Sequence, residues 1–185
     1  MGTRERLLES GAALFAAKGF HGVGVEELGA SVGLTGPSIY RHFRTKNALL
    51  AEILVSVSES LLAGAVEVLD EDLDSKQTLS ALIDRHIEFA VSFPDLIKVQ
   101  ERDFGSLHED DARQVRRLQR RYVELWVDQI QIVRHDDSHE VARTIAHAIF
   151  GLLNSTPRLR TGMRRDEIAT LMHELALRAL LPEPS

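Results

Sequence analysis

The stretch from Gly24 to Lys46 constrains this chain most. It reads Gly-Val-Glu-Glu-Leu-Gly-Ala-Ser-Val-Gly-Leu-Thr-Gly-Pro-Ser-Ile-Tyr-Arg-His-Phe-Arg-Thr-Lys, with room for two short helices and one tight turn. A first helix is predicted over about Val25 to Val32, with Leu28 and Val32 on one face at i, i+4 spacing. Gly33 ends it, because glycine takes the left-handed conformation that a helix C-terminus needs. Thr35 is suited to N-cap the second helix, and Pro37 falls in its first turn, where a missing N–H costs little. Two helices, a glycine turn and polar side chains at the start of the second helix make a helix-turn-helix, whose second helix enters a DNA major groove. Residues near that helix's N-terminus approach base edges, so Gly36, Pro37, Ser38 and Arg41 are the candidates for reading sequence. Arg41 can pair with guanine O6 and N7, worth about 1–3 kcal/mol of discrimination, and Pro37 suits a thymine methyl.

The flanks sharpen the reading. Upstream, Leu8, Ala12, Phe15 and Gly19 recur at helical spacing in a segment that Gly19 ends. Downstream, Ile39 to Leu50 closes the unit and starts another helix. Leu14-Phe15 with Gly19-Phe20, then Gly33, then Tyr40 with His42-Phe43 and Lys46 form an ordered set. On that set, residues 4–50 resemble the DNA-binding domain of the TetR family of bacterial transcriptional regulators. The resemblance implies a three-helix DNA-binding domain over 1–47 and a larger helical ligand-binding and dimerisation domain over 48–185. It also implies a ligand-responsive regulator, usually a repressor, that binds palindromic double-stranded DNA as a homodimer and is released by a small molecule. Tyr40, Thr45 and Lys46 match positions that hold phosphates in the family, which sets register without reading sequence. His42 either joins that contact surface or packs the small domain, Tyr40 has the same alternative, and Phe43 belongs to the core. Three positions depart from the pattern. Val23 and Gly24 stand where many members have Thr or Ser, and Pro37 replaces a residue that is often small.

Charge looks wrong for a DNA binder until it is divided. The 185 residues carry a net charge of −6. Residues 1–50 hold six basic against four acidic side chains, net +2, and the remainder holds 16 basic against 24 acidic, net −8. Positive side chains for phosphate contact are thus placed at one end, and the acidic body would favour docking through that end. With no cysteine there is no disulfide framework, thiolate metal site or thiol nucleophile. No basic start leads into an apolar run, and no apolar stretch is expected to approach the ~18 residues of a membrane span. These features predict a cytoplasmic protein without a membrane partner.

The rest of the chain reads as helix throughout, with no useful β alternation, so the fold class is all-α. Helices are predicted from Asn47 to about Leu69, from a Ser75 cap to Pro94, from Pro94 to about Arg102, and from about Asp110 to Val133. Two more follow, from about His139 to Ser155 and from Arg164 to Leu181. Phe89, Phe93, Phe104, Tyr122, Trp126 and Phe150, with Arg102 and Asn154, could line an effector cavity of mostly apolar walls and few polar groups, or could simply fill a core. Val141, Ile145, Ala148, Ile149 and Leu152 form one apolar stripe, and Ile168, Leu171, Met172, Leu175 and Ala179 another. Each stripe either packs on its own body or, as the family resemblance implies, pairs across a two-fold axis. Arg113, Arg116, Arg117, Arg120 and Arg121 share one helix face, either solvated or an anion site. His86, His108, His135, His139 and His173 offer nitrogens for a metal, but only His135, Asp136, Asp137 and His139 cluster, in what reads as a polar turn. No metal site or cofactor is therefore expected. Without a cysteine nucleophile, a Gly-x-Ser-x-Gly motif or a metal pair at helical spacing, no enzyme is expected. The competing class is a helical small-molecule or lipid-binding protein, or an enzyme, whose N-terminal unit is only structural.

Overall fold

A computed structural model describes residues 2–159 and 161–181, and among them every regular element is helical. In chain order these are α1 (Thr3–Lys18), α2 (Val25–Ser31), a 3₁₀ segment (Gly36–Arg41), α3 (Lys46–Leu69), α4 (Ser75–Ser92) and α5 (Pro94–Asp103). A 3₁₀ turn (Phe104–Ser106), α6 (Glu109–Val133), α7 (His139–Leu153), a second 3₁₀ turn (Thr156–Arg158) and α8 (Arg165–Leu180) complete the chain. The chain divides into two compact units, the first made of residues 1–58 and 95–117, the second of 59–94 and 118–185. The first unit thus takes in α5 and the start of α6, which the sequence division after residue 47 leaves with the body.

In the first unit, α1 packs on α2 and α2 on the 3₁₀ segment. Leu7, Phe15, Leu28, Leu49, Leu50 and Leu54 are wholly buried, and Val99 and Val115 join the same core. Phe15 meets Phe20 edge-on at 5.5 Å. Truncating a wholly buried Phe such as Phe15 to alanine costs about 3–5 kcal/mol, through all its packing contacts and the cavity left behind. The turn after α2 is set by two glycines. Gly33 has φ +76°, and the Leu34 N–H reaches back to Gly29 O (2.8 Å) while the Gly33 N–H reaches Ala30 O (3.2 Å). That is a Schellman closure, and it requires the left-handed residue that glycine supplies. Gly29 lets the chain return against α2, since a Cβ there would lie 2.8 Å from Leu34 O and 2.9 Å from the Thr35 carbonyl carbon.

In the second unit, α4 packs on α8 and on α7, and α7 packs on α8. Leu79, Leu82, Ile83, Trp126, Val127, Ile130, Leu153 and Leu180 are wholly buried there. The cap of α4 is Asp74, not Ser75. Its carboxylate accepts from the Lys76 and Gln77 N–H groups (2.9 Å each) while Gln77 Oε1 accepts from the Asp74 N–H (3.0 Å). This reciprocal capping box satisfies backbone donors at both ends of the first turn. Ser138 Oγ caps α7 by accepting from the Val141 N–H (3.3 Å).

One expectation is corrected by α3. By length and composition it could cross a membrane, with mean hydropathy 1.8 in an 18-residue window. Its apolar residues have a different use, since 56% of that window is buried inside the protein.

Candidate nucleic-acid interface and effector site

The second helix of the motif is a 3₁₀ helix, a tighter winding than an α-helix. Side chains three apart eclipse each other in this geometry, so the segment has three edges. Gly36 and Ile39 form the buried edge, and half-buried His42 follows at the same spacing. Pro37 and Tyr40 form the second, with Tyr40 52% exposed. Ser38 and Arg41 form the third. Gly36 is held against α2, where a Cβ would come within 3.3 Å of Glu26 Cα. Thr35 begins the segment, but its hydroxyl meets Ser38 Oγ (2.7 Å) and makes no cap to the backbone. Among the described residues no side-chain hydrogen bond or ion pair engages Arg41 or Arg44, and both are exposed. Of the base-reading candidates, Pro37 and Arg41 face solvent, Ser38 is half-buried, and Gly36 points inward.

The phosphate candidates divide. Thr45 Oγ1 accepts from the Ala48 N–H (3.0 Å) and so caps α3. Lys46 Nζ donates to Phe20 O (2.7 Å) and Val23 O (2.8 Å) and lies 4.4 Å from the Phe20 ring centre. An ammonium has three donors. Two of those on Lys46 therefore staple the α1–α2 turn, which leaves one for a phosphate. Other basic residues near the motif are also spent internally. Arg4 pairs with Glu52 and lies over the Phe43 ring, and Arg6 donates to Val32 O (3.0 Å). Of the exposed cations near the motif, Arg41 and Arg44 have side chains without a partner among the described residues.

A clamp that the sequence did not disclose holds this unit together. Asp103, 4% exposed, accepts from the Phe20 N–H (3.2 Å) and from Arg102 Nε (3.1 Å). Arg102 in turn donates to the carbonyls of Phe15 and Ala16, at the open C-terminal end of α1. Asn47 donates to Ser106 O, and His21 meets Ser106 Oγ at 3.1 Å. Arg102 and Phe104 are candidates either for an effector cavity or for a core. They lie in the first unit, apart from the other candidates, and Phe104 lies 5.5 Å beneath the Arg116 guanidinium. The cause is a contact partner 86 residues away in the chain, which local periodicity does not register.

The remaining cavity candidates do meet, in the second unit. Trp126 and Phe150 lie 4.9 Å apart, Tyr122 and Phe150 5.5 Å, and Phe89 and Phe93 6.3 Å, with Phe93 55% exposed. At their centre is His86, buried and absent from the sequence candidates for this site. Its Nε2 lies 3.0 Å from Asn154 Oδ1 and its Nδ1 3.0 Å from the Tyr122 hydroxyl. A carbonyl oxygen only accepts, so Nε2 carries the proton and Nδ1 accepts from the Tyr122 O–H. Burial holds the His86 imidazole down to about 4, from an ordinary 6.5, and the bond to Asn154 offsets part of that. Burial pushes the Tyr122 phenol upward. Both groups are neutral at physiological pH.

The two apolar stripes each split into an inward and an outward set. Ile149 and Met172 are buried in the second unit and leave the surface. Val141 (44%), Leu171 (39%) and Leu175 (43%) are exposed, as are Ala148 and Ala179, while Ile145, Leu152 and Ile168 are half-buried. In the arginine row, Arg113 pairs with Asp110 and Arg116 with Glu109, whereas Arg117, Arg120 and Arg121 have no partner among the described residues. The histidine cluster is parted. His135 faces Asp136 (3.9 Å), and His139 faces Glu124 (3.3 Å).

An all-helical chain with this turn, a 3₁₀ reading segment and free arginines beside it defines a helix-turn-helix DNA-binding regulator. Residues 7–53 match the family described as bacterial regulatory proteins, tetR family, and residues 72–180 match the tetracyclin repressor-like C-terminal domain. The chain belongs to the TetR family of bacterial transcriptional regulators. It is similar to the HTH-type transcriptional repressor KstR2 of Rhodococcus jostii, 34% identical over 44% of this chain and 40% of that one. It is similar also to the HTH-type transcriptional activator FasR of Mycolicibacterium smegmatis, 28% identical over 46% of this chain and 39% of that one. These matches span less than half the length of either relative. Among solved structures, a TetR-family regulator from Bordetella parapertussis has the same fold, with TM-score 0.85, 22% identity and coverage of 94% and 93% of the two chains.

Proposed function

We propose that this protein is a cytoplasmic, ligand-responsive repressor that binds a palindromic operator as a homodimer and is released by a small, largely apolar molecule. The observation that carries the reading is the reading segment itself. Two of its three edges face outward, carrying Pro37, Tyr40, Ser38 and Arg41, with Arg44 just beyond and neither arginine committed to the protein. Unpaired guanidinium groups beside a groove-sized helix fit base edges and phosphates. Repression is the sign carried in the name of the R. jostii relative. Dimerisation is supported by the outward residues of α7 and α8, since large apolar side chains grouped at a surface mark an association site. The aromatic cluster around His86 supports an internal effector site of apolar walls and few polar groups.

Fluorescence anisotropy with labelled duplexes tiled across the DNA flanking the protein's own gene tests the reading. One duplex is expected to bind far more tightly than the rest, with affinity falling steeply as salt rises. Equal, weak binding to all of them would overturn it.

A further inference from the structure

We propose that Ser80 of α4 is a self-acylating nucleophile that takes one acyl group from an activated ester or thioester. His173 of α8 is its general base, and Asp84 of α4 positions that base. This activity is separate from DNA binding and does not depend on it.

Three side chains from two packed helices make the arrangement. Ser80 and Asp84 stand one turn apart on α4, which puts them on one face, and His173 of α8 meets both. His173 Nδ1 lies 2.6 Å from Asp84 Oδ1, and its Nε2 lies 3.3 Å from Ser80 Oγ. A carboxylate only accepts, so Nδ1 carries the proton in the neutral ring. Nε2 then holds a lone pair, and the Ser80 O–H donates to it. The order of contacts, hydroxyl to imidazole to carboxylate, and the tautomer are those that a serine nucleophile requires. Ser80 and His173 are half-buried and the Asp84 side chain is 67% exposed, so the group is open to solvent.

In the acylation step, Ser80 Oγ bonds to the carbonyl carbon while its proton passes to His173 Nε2. The bond from that carbon to the leaving oxygen or sulfur then breaks. The leaving group departs with the electron pair and takes the proton from His173. The products are an ester on Ser80 and a free phenol or thiol, with no change of oxidation state. The substrate class follows from what surrounds the serine. Backbone N–H groups inside α4 around Ser80 bond to carbonyls one turn back, so they are not available to a developing oxyanion. Each donor missing from an oxyanion hole costs about 10²–10³ in rate. Amides and simple alkyl esters, with poor leaving groups, are therefore out of reach, and acyl compounds with phenol or thiol leaving groups remain. The same deficit makes the product persist, since the alkyl ester on Ser80 is less activated than the donor that formed it. The outcome is one acyl group per chain and no turnover.

The test treats the full chain with p-nitrophenyl acetate and, separately, with S-phenyl thioacetate, and follows acetylation by peptide mapping with mass spectrometry. Both probes should place an acetyl group on Ser80, while Ser92 of the same helix, which is more exposed, stays unmodified. His173→Gln should slow labelling of Ser80 by about 10²–10⁴, the worth of a general base. Asp84→Ala should also slow it, and Asp84→Glu, which keeps a carboxylate for Nδ1, should recover most of the rate. That recovery separates positioning of the base from a merely structural contact. Should the variants fail to fold by circular dichroism, the wild-type map alone decides. Acetyl groups on lysines with none on Ser80, equal labelling of Ser80 and Ser92, or a His173→Gln chain labelled as fast as wild type would overturn the site. None of these outcomes turns on whether the chain binds an operator.

Discussion

Replacing Asp103 by alanine tests whether the first unit is braced as described. The carboxylate is almost wholly buried and accepts the Phe20 N–H at 3.2 Å and two Arg102 nitrogens at 3.1 Å each. Losing the acceptor strands the backbone N–H of Phe20, a penalty of about 1–3 kcal/mol for a buried donor. The ion pair adds less, because the Arg102 side chain is 46% exposed and water screens it. Together these give roughly 2–4 kcal/mol of destabilisation. Asp103→Asn keeps an oxygen for Phe20 but loses the charge and the second acceptor that faces Arg102 Nη2, so it should cost about 1 kcal/mol, mostly from the exposed Arg102 side. Urea denaturation followed by far-UV circular dichroism measures both, with hydrogen exchange at Phe20 as the local probe. If Asp103→Ala costs less than about 0.5 kcal/mol, or if Asn and Ala are equivalent, the bond to Phe20 is not what holds the turn, and the reasoning fails.

Three other outcomes follow from the same structure. Gly29→Ala places a methyl against backbone atoms at 2.8–3.0 Å that cannot swing aside, so it should cost about 1–3 kcal/mol and weaken DNA binding, read by thermal melts and anisotropy. Leu171→Glu with Leu175→Glu changes exposed positions and should leave the fold intact while yielding monomers in sedimentation, whereas an unchanged dimer would sink the proposed interface. The third concerns His86, whose folded pKa lies near 4 against 6.5 in the unfolded chain, so the unfolded state binds the extra proton between those values. Its contribution is complete above pH 6.5 and lost as pH falls to 4, about 3 kcal/mol in all. The stability gap between wild type and His86→Leu should narrow by that order over this window, and a gap independent of pH would refute the assignment.

What the sequence disclosed is what local chemistry decides. Gly33 ends α2 because its neighbours, three to five residues back, need a left-handed residue, and Phe43 falls in the core at the spacing expected. The 3₁₀ winding of Gly36–Arg41 was not legible, since both helix types accept a proline in the first turn. Periodicity found the α7 and α8 stripes but could not tell that Ile149 and Met172 turn inward while Leu171 and Leu175 turn outward. An apolar stripe wider than its own core needs leaves that choice to the partner helices. The Asp103–Phe20 bond spans 83 residues and the His86–Asn154 bond 68, distances over which a single sequence carries no signal. Even so, a lone histidine among Leu82, Ile83, Ile87 and Ala90 on one helix was a hint that a buried polar partner would be found.

Hydroxyl-radical footprinting on the flanking-gene duplex that binds best, with wild type and with Tyr40→Ala/Arg41→Ala, tests the central claim most directly. Wild type should protect two half-sites about one helical turn apart, ~34–36 Å, or a multiple of that spacing. The variant should lose protection at both half-sites while keeping wild-type circular dichroism, because Tyr40 and Arg41 are exposed. Full protection by the variant, or no discrete footprint with wild type, would contradict the claim that this segment reads DNA.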